Sequence, residues 1–135
     1  MRAKLLLGAF AIAAGLAFAT TASAQVPNAN HYLCRKVKDL KIPAKFPGVT
    51  GLSVADQVGP DTCGLKKAFL LCNPAIINAG PNPPDPNLHY VCYKAKCGQK
   101  PAVSFSTVDQ FGPLQLQTKK PFLLCNPAQK SPAPF

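Results

Sequence analysis

The chain carries 15 Lys and Arg against five acids over 135 residues, a formal net charge of +10, which points toward anionic partners. Glu and Trp are absent while Gly and Pro together number 24, a composition that argues against a helical fold and favours turns. Five Asp and two His leave little material for acid, base or metal chemistry.

Met1 to Ala24 has the order of an export signal: cations at Arg2 and Lys4, an apolar run from Leu5 to Phe18, and Ala22-Ser23-Ala24 before Gln25. The run of about 14 residues is short of the roughly 20 that span a bilayer. No cysteine follows the cleavage site and no later segment is apolar enough to span, so the expected product is secreted or periplasmic, without an anchor. Removing Arg2 and Lys4 leaves 13 cations against five Asp, a net charge of +8.

After a short leader (25–30), the chain states one pattern twice. Residues 56–75 read DQVGPDTCGLKKAFLLCNPA and residues 109–128 read DQFGPLQLQTKKPFLLCNPA, identical at 13 of 20 positions with an offset of 53. His31-Tyr32-Leu33-Cys34 is matched by His89-Tyr90-Val91-Cys92 at an offset of 58, so the second copy lacks five residues. The reading is an internal duplication: unit 31–75, a Pro-rich linker 76–88, unit 89–128 and a tail 129–135. Within each unit short alternation, as in Val103-Phe105-Thr107 against Ser104-Ser106-Val108, predicts strands. An opening strand, a strand into DQ[VF]GP, a third strand, a turn at the Lys pair and a closing strand predict about eight strands in all. Neither unit of about 40 residues can bury a convincing core alone. The fold expected is therefore all-β, a pseudo-twofold sandwich or small barrel stapled by disulfides.

Six cysteines in an exported chain favour three disulfides over metal ligation. Pairings that respect the duplication are either Cys34–Cys72 with Cys92–Cys125, or Cys34–Cys125 with Cys72–Cys92. The direct version is preferred, each bridge closing a loop worth roughly 4 kcal/mol in the chain-entropy model. Cys63 and Cys97 have no counterparts, since Leu116 and Asp39 stand in the matching places, so they pair with each other across the units.

Candidate sites have plain structural readings beside them. His31 and His89 could share a metal if the twofold joined them, but strand packing accounts for both. Asp56-Gln57 and Asp109-Gln110, each shortly before Gly-Pro, fit turn chemistry in which Asp accepts backbone hydrogen bonds, glycine takes positive φ and proline stops the strand. Asn73-Pro74 and Asn126-Pro127 read as turns likewise. No nucleophile elbow, zinc-protease or phosphate-loop motif occurs, and the chain is read as a non-enzyme needing no cofactor. The basic residues Arg35, Lys36, Lys66, Lys67, Lys119 and Lys120 are the candidate anion-binding set. Lysine outnumbers arginine 12 to 1 after signal removal, which disfavours bidentate phosphate recognition and nucleic acid.

The combined pattern H-Y-x-C, D-Q-[VF]-G-P and K-K-x-F-L-L-C-N-P-A resembles a cysteine-stapled tandem domain of unknown function from secreted or surface proteins of bacteria, over nearly all of residues 31–128. The resemblance implies fold and location only. It also implies an aromatic after each opening cysteine, which Tyr93 supplies and Arg35 does not, and two cysteines per repeat, to which Cys63 and Cys97 are additions. The function expected is a non-enzymatic module presenting a basic surface to an anionic envelope polymer or a secreted or surface protein. An inhibitor or effector using the longer loop Lys38 to Gly51 is the alternative, and a metal binder using His31 and His89 the third.

Overall fold

The computed structural model describes Gly15, residues 29–98 and residues 100–131. All but Gly15 of residues 1–24, read above as an export signal, and the end of the tail fall outside them. Among the described residues seven strands form: β1 (His31–Lys36), β2 (Val49–Asp56), β3 (Gly59–Ala75), β4 (His89–Lys96), β5 (Ser104–Asp109), β6 (Gly112–Gln117) and β7 (Leu123–Ala128). The protein is all-β, as its composition predicts. One sheet runs β1-β3-β4-β7 with β2 also on β3, and β5 and β6 make a separate two-stranded sheet. The sheets do not close into a barrel.

The two opening strands meet their closing strands in one register. His31 pairs with Ala75 and Cys34 with Cys72, while His89 pairs with Ala128 and Cys92 with Cys125. Even the bond just beyond each ladder recurs: Val37 N donates to Phe69 O at 3.0 Å, and Ala95 N to Phe122 O at 2.9 Å. All six cysteines are paired as Cys34–Cys72, Cys63–Cys97 and Cys92–Cys125. The direct scheme therefore holds. Of the exchanged scheme only one pair is close, Cys72 Sγ and Cys92 Sγ at 3.8 Å without a bond, whereas Cys34 and Cys125 lie on β1 and β7 at opposite edges of the sheet.

The hairpins also match in register. Asp56 opposes Gly59 and Val54 opposes Asp61, and Asp109 opposes Gly112 and Thr107 opposes Leu114. At both tips the Asp accepts from the residue two on, Val58 N to Asp56 Oδ1 and Phe111 N to Asp109 Oδ1, each at 2.8 Å. Gly59 and Gly112 have φ of 135° and 121°. Turn chemistry is what these Asp-Gln pairs do.

Three sequence expectations need correction. Pro60 and Pro113 do not stop strands; they stand second in β3 and β6, near the strand start where a missing N–H is tolerated. Asn73-Pro74 and Asn126-Pro127 are in strands, not turns. Strands number seven because Lys66-Lys67 make no turn: β3 runs 17 residues straight through them. In the second half, residues 118–122 leave the ladder between β6 and β7. Pro121, without an N–H to donate, stands where β3 has Ala68.

Burial is sparse. The buried apolar residues among those described are Leu65, Pro74, Pro83 and four cysteines, Cys63, Cys72, Cys92 and Cys97. With so little core, the disulfides carry a large share of stability. Tyr32 and Tyr90 pack edge to face at 5.1 Å. The linker is fastened to the start of β1, with Asp85 N donating to Asn30 Oδ1 at 3.0 Å.

Candidate functional site

The six candidate anion-binding residues are all exposed. Arg35 and Lys36 end β1, opposite Leu71 and Leu70. Lys66 and Lys67 lie on β3 where its pairing with β4 shifts register between Leu65 and Ala68. Lys119 and Lys120 occupy the loop before β7. The extra residue of that irregularity falls at Lys66-Lys67, so the alternation of a regular strand does not hold between them, and both are exposed.

Beside this surface lies a cleft of about 290 Å³ between the β2–β3 hairpin and the second half. Cys63 and Cys97 line it as a disulfide, with Val54, Pro121 and Leu123 as apolar wall and Lys100 and Lys119 as cations. Asp61 is its acid. Asp61 Oδ1 accepts from Thr62 N at 2.7 Å and Gly98 N at 3.1 Å, joining the two halves. Asp61 Oδ2 is buried and has no partner. Sequence reasoning passed over Asp61, although the signal was present: its counterpart is Leu114, so it departs from the repeated pattern along with Cys63 and Cys97. Asp61, Cys63 and Cys97 also gather three potential metal ligands. Both sulfurs are consumed in the disulfide and offer no thiolate.

The two histidines do not meet. His31 is exposed on an edge strand, whereas His89 is 1% exposed, and β3 separates their strands by two strand spacings, about 9.5 Å. His89 Nδ1 donates to Asn73 Oδ1 at 3.2 Å, an oxygen that also accepts from Lys130 Nζ at 3.1 Å. Nε2 is buried without a partner. Burial holds the His89 pKa below its ordinary value, and Lys130 adds to the effect while Asp85 opposes it.

Of the segment Lys38 to Gly51, the last three residues already belong to β2 and the loop before them is tied down by Asp39, whose Oδ1 accepts from Lys41 N at 2.8 Å and Oδ2 from Phe46 N at 2.9 Å. Those backbone donors lower the Asp39 pKa. Phe46 packs on Tyr93 at 4.9 Å, while Leu40 and Ile42 remain 73% and 82% exposed.

Compared with known proteins, the chain matches no protein-family model, no curated protein and no solved structure. No helix among the described residues is long and apolar enough to cross a membrane.

Proposed function

We propose that the chain is an exported, non-catalytic β module that presents lysines to an anionic polymer of the envelope or an acidic extracellular surface. The observation that carries this reading is the exposure of all six candidate cations on a frame where every cysteine is bridged. Three disulfides fit an oxidising compartment, in keeping with residues 1–24 as export signal and with the tandem-domain resemblance. Lysine, a point charge on a flexible stem, suits a polymer whose charges are not fixed in one geometry.

The test is binding of the exported protein to a polyanion across a salt series. Changing Lys66, Lys67, Lys119 and Lys120 together to Gln should weaken binding and flatten its salt dependence. Unchanged binding, or a partner retained at high salt, sinks this reading.

A further inference from the structure

The way the first half docks on the second leaves an identical demand unmet at both ends of the molecule. In the first hairpin, Leu52, Cys63, Val54 and Asp61 share one face, as their pairing shows. That face meets the second half through the Cys63–Cys97 disulfide, the Gly98 to Asp61 bond and the shared cleft. The corresponding face of β5–β6 is Phe105, Leu116, Thr107 and Leu114. It is the more apolar of the two, yet Leu114 and Leu116 are 53% and 48% exposed, with Phe111 at the tip 81% exposed. Its other face carries Ser104, Gln117 and the mutually hydrogen-bonded Ser106 and Gln115, with Val108 and Pro113 near the tip.

The opposite end holds the complement. Lys96-Cys97-Gly98-Gln99-Lys100-Pro101-Ala102, whose Cys97 and Gly98 meet the first hairpin, corresponds at an offset of 58 to Lys38-Asp39-Leu40-Lys41-Ile42-Pro43-Ala44. There Leu40 and Ile42 project into solvent. The sheet edges agree as well. The halves join by pairing β3 with β4, a closing strand with an opening strand, and the sheet then ends in closing strand β7 on one side and opening strand β1 on the other.

We infer that a second copy of this chain docks head to tail, its β1 adding to β7 and its Leu40 and Ile42 covering the β5–β6 face, as a repetition of the junction already present inside the molecule. The β3–β4 register, Leu70 to Cys92, Leu71 to Val91 and Cys72 to Tyr90, translates to Leu123 on Cys34, Leu124 on Leu33 and Cys125 on Tyr32 of the next copy. Leu33, now 54% exposed, is covered, and the row of disulfides continues from copy to copy. The contact is heterologous, so it builds open chains or rings and not closed pairs. Arg35, Lys36 and the net positive charge oppose it, the usual guard on an exposed edge. Added salt screens that repulsion and strengthens assembly, the reverse of its effect on polyanion binding.

The experiment introduces a thiol at each position that corresponds to Cys63 and Cys97 of the internal junction, as L116C with D39C, in an exported full chain mixed from isotopically light and heavy preparations. The expected result is disulfide-linked peptides joining position 39 of a light chain to position 116 of a heavy one, in a ladder, with the three native bridges intact. Because Asp39 organises its loop, the unaltered protein is also sedimented from micromolar to millimolar concentration at low and high salt, beside L116K. Association that rises with salt and is lost in L116K is expected. A chain that stays monomeric throughout, or that associates with native bridges intact but without the link between those two positions, overturns the docking mode. So does a monomer whose L116K form loses capture of a different protein, which would assign the hairpin to an unlike partner.

Discussion

Residues 31–75 and 89–128 build the same ladder and then treat the same hairpin differently. The opening and closing strands agree residue for residue in register, from His31 on Ala75 and His89 on Ala128 to the paired cysteines. Beyond the Lys pair they diverge. In the first half the hairpin continues into the closing strand as the single β3, and a disulfide ties it to the other half. In the second it forms a sheet of its own, joined by residues 118–122. Strand pairing thus follows local sequence, while the attachment of one pair to the next depends on a few residues that differ: Ala68 against Pro121, and Cys63 and Asp61 against Leu116 and Leu114.

The largest test removes the tie. Changing Cys63 and Cys97 together to Ala should cost about 2–5 kcal/mol of unfolding free energy, read by urea denaturation. Amide exchange in 49–65 should then rise to the level found in 104–117. If the first hairpin stays protected, the continuous strand alone holds it, and the disulfide is not the source of the difference.

The next largest effect concerns the proline. Ala68 pairs with Tyr93 in the central strand between two register shifts, so A68P, which removes an N–H inside the sheet, should cost about 1–3 kcal/mol. The reverse change, P121A, should leave global stability within about 0.5 kcal/mol. Equal costs for the two would mean that proline does not account for the break between β6 and β7.

How far these features were readable follows from their physical range. Turn chemistry at Asp56 and Asp109, strand alternation and the cysteine pairing are local or imposed by the repeat, and the sequence carried them. Lys66-Lys67 looked like a turn because a cation pair is polar on both sides, yet β3 carries it through as exposed strand. Asp61 and the cleft depend on which elements meet in space, which no periodicity encodes. The divergence at position 121 was legible in principle, since proline cannot donate to a ladder whichever fold surrounds it.

The paired histidines give the third comparison. H31A, at an exposed edge position, should leave stability within about 0.5 kcal/mol. His89 is neutral, buried, and shares Asn73 Oδ1 with an ammonium. Because its folded pKa lies below the ordinary value of about 6.5, the unfolded chain binds the proton first. Its contribution is therefore intact above that pH and is lost as pH falls from about 6.5 toward the folded pKa. The thermal midpoint should therefore fall as the pH is lowered below about 6.5. H89Q should flatten this part of the profile, and an unchanged slope would show that other groups cause it.

The smallest effect separates the hairpins by how they are attached. Asp56 Oδ1 accepts from Val58 N and Gly59 N at 2.8 and 3.3 Å, and Asp109 Oδ1 accepts from Phe111 N at 2.8 Å. Removing either side chain deletes a turn-holding acceptor worth about 1 kcal/mol. In D56A the loss passes through β3 to the main sheet, so the urea midpoint should shift by that amount. In D109A the hairpin opens by itself, and the midpoint should stay within about 0.3 kcal/mol while amide exchange in 104–117 accelerates roughly fivefold, the equivalent of about 1 kcal/mol of local opening. Matched midpoint shifts in the two variants would mean that the second hairpin unfolds with the sheet, and the contrast between tied and free hairpins would fail. A D109A midpoint that moves only in dilute protein, and not at millimolar concentration, would instead place a second copy against that hairpin.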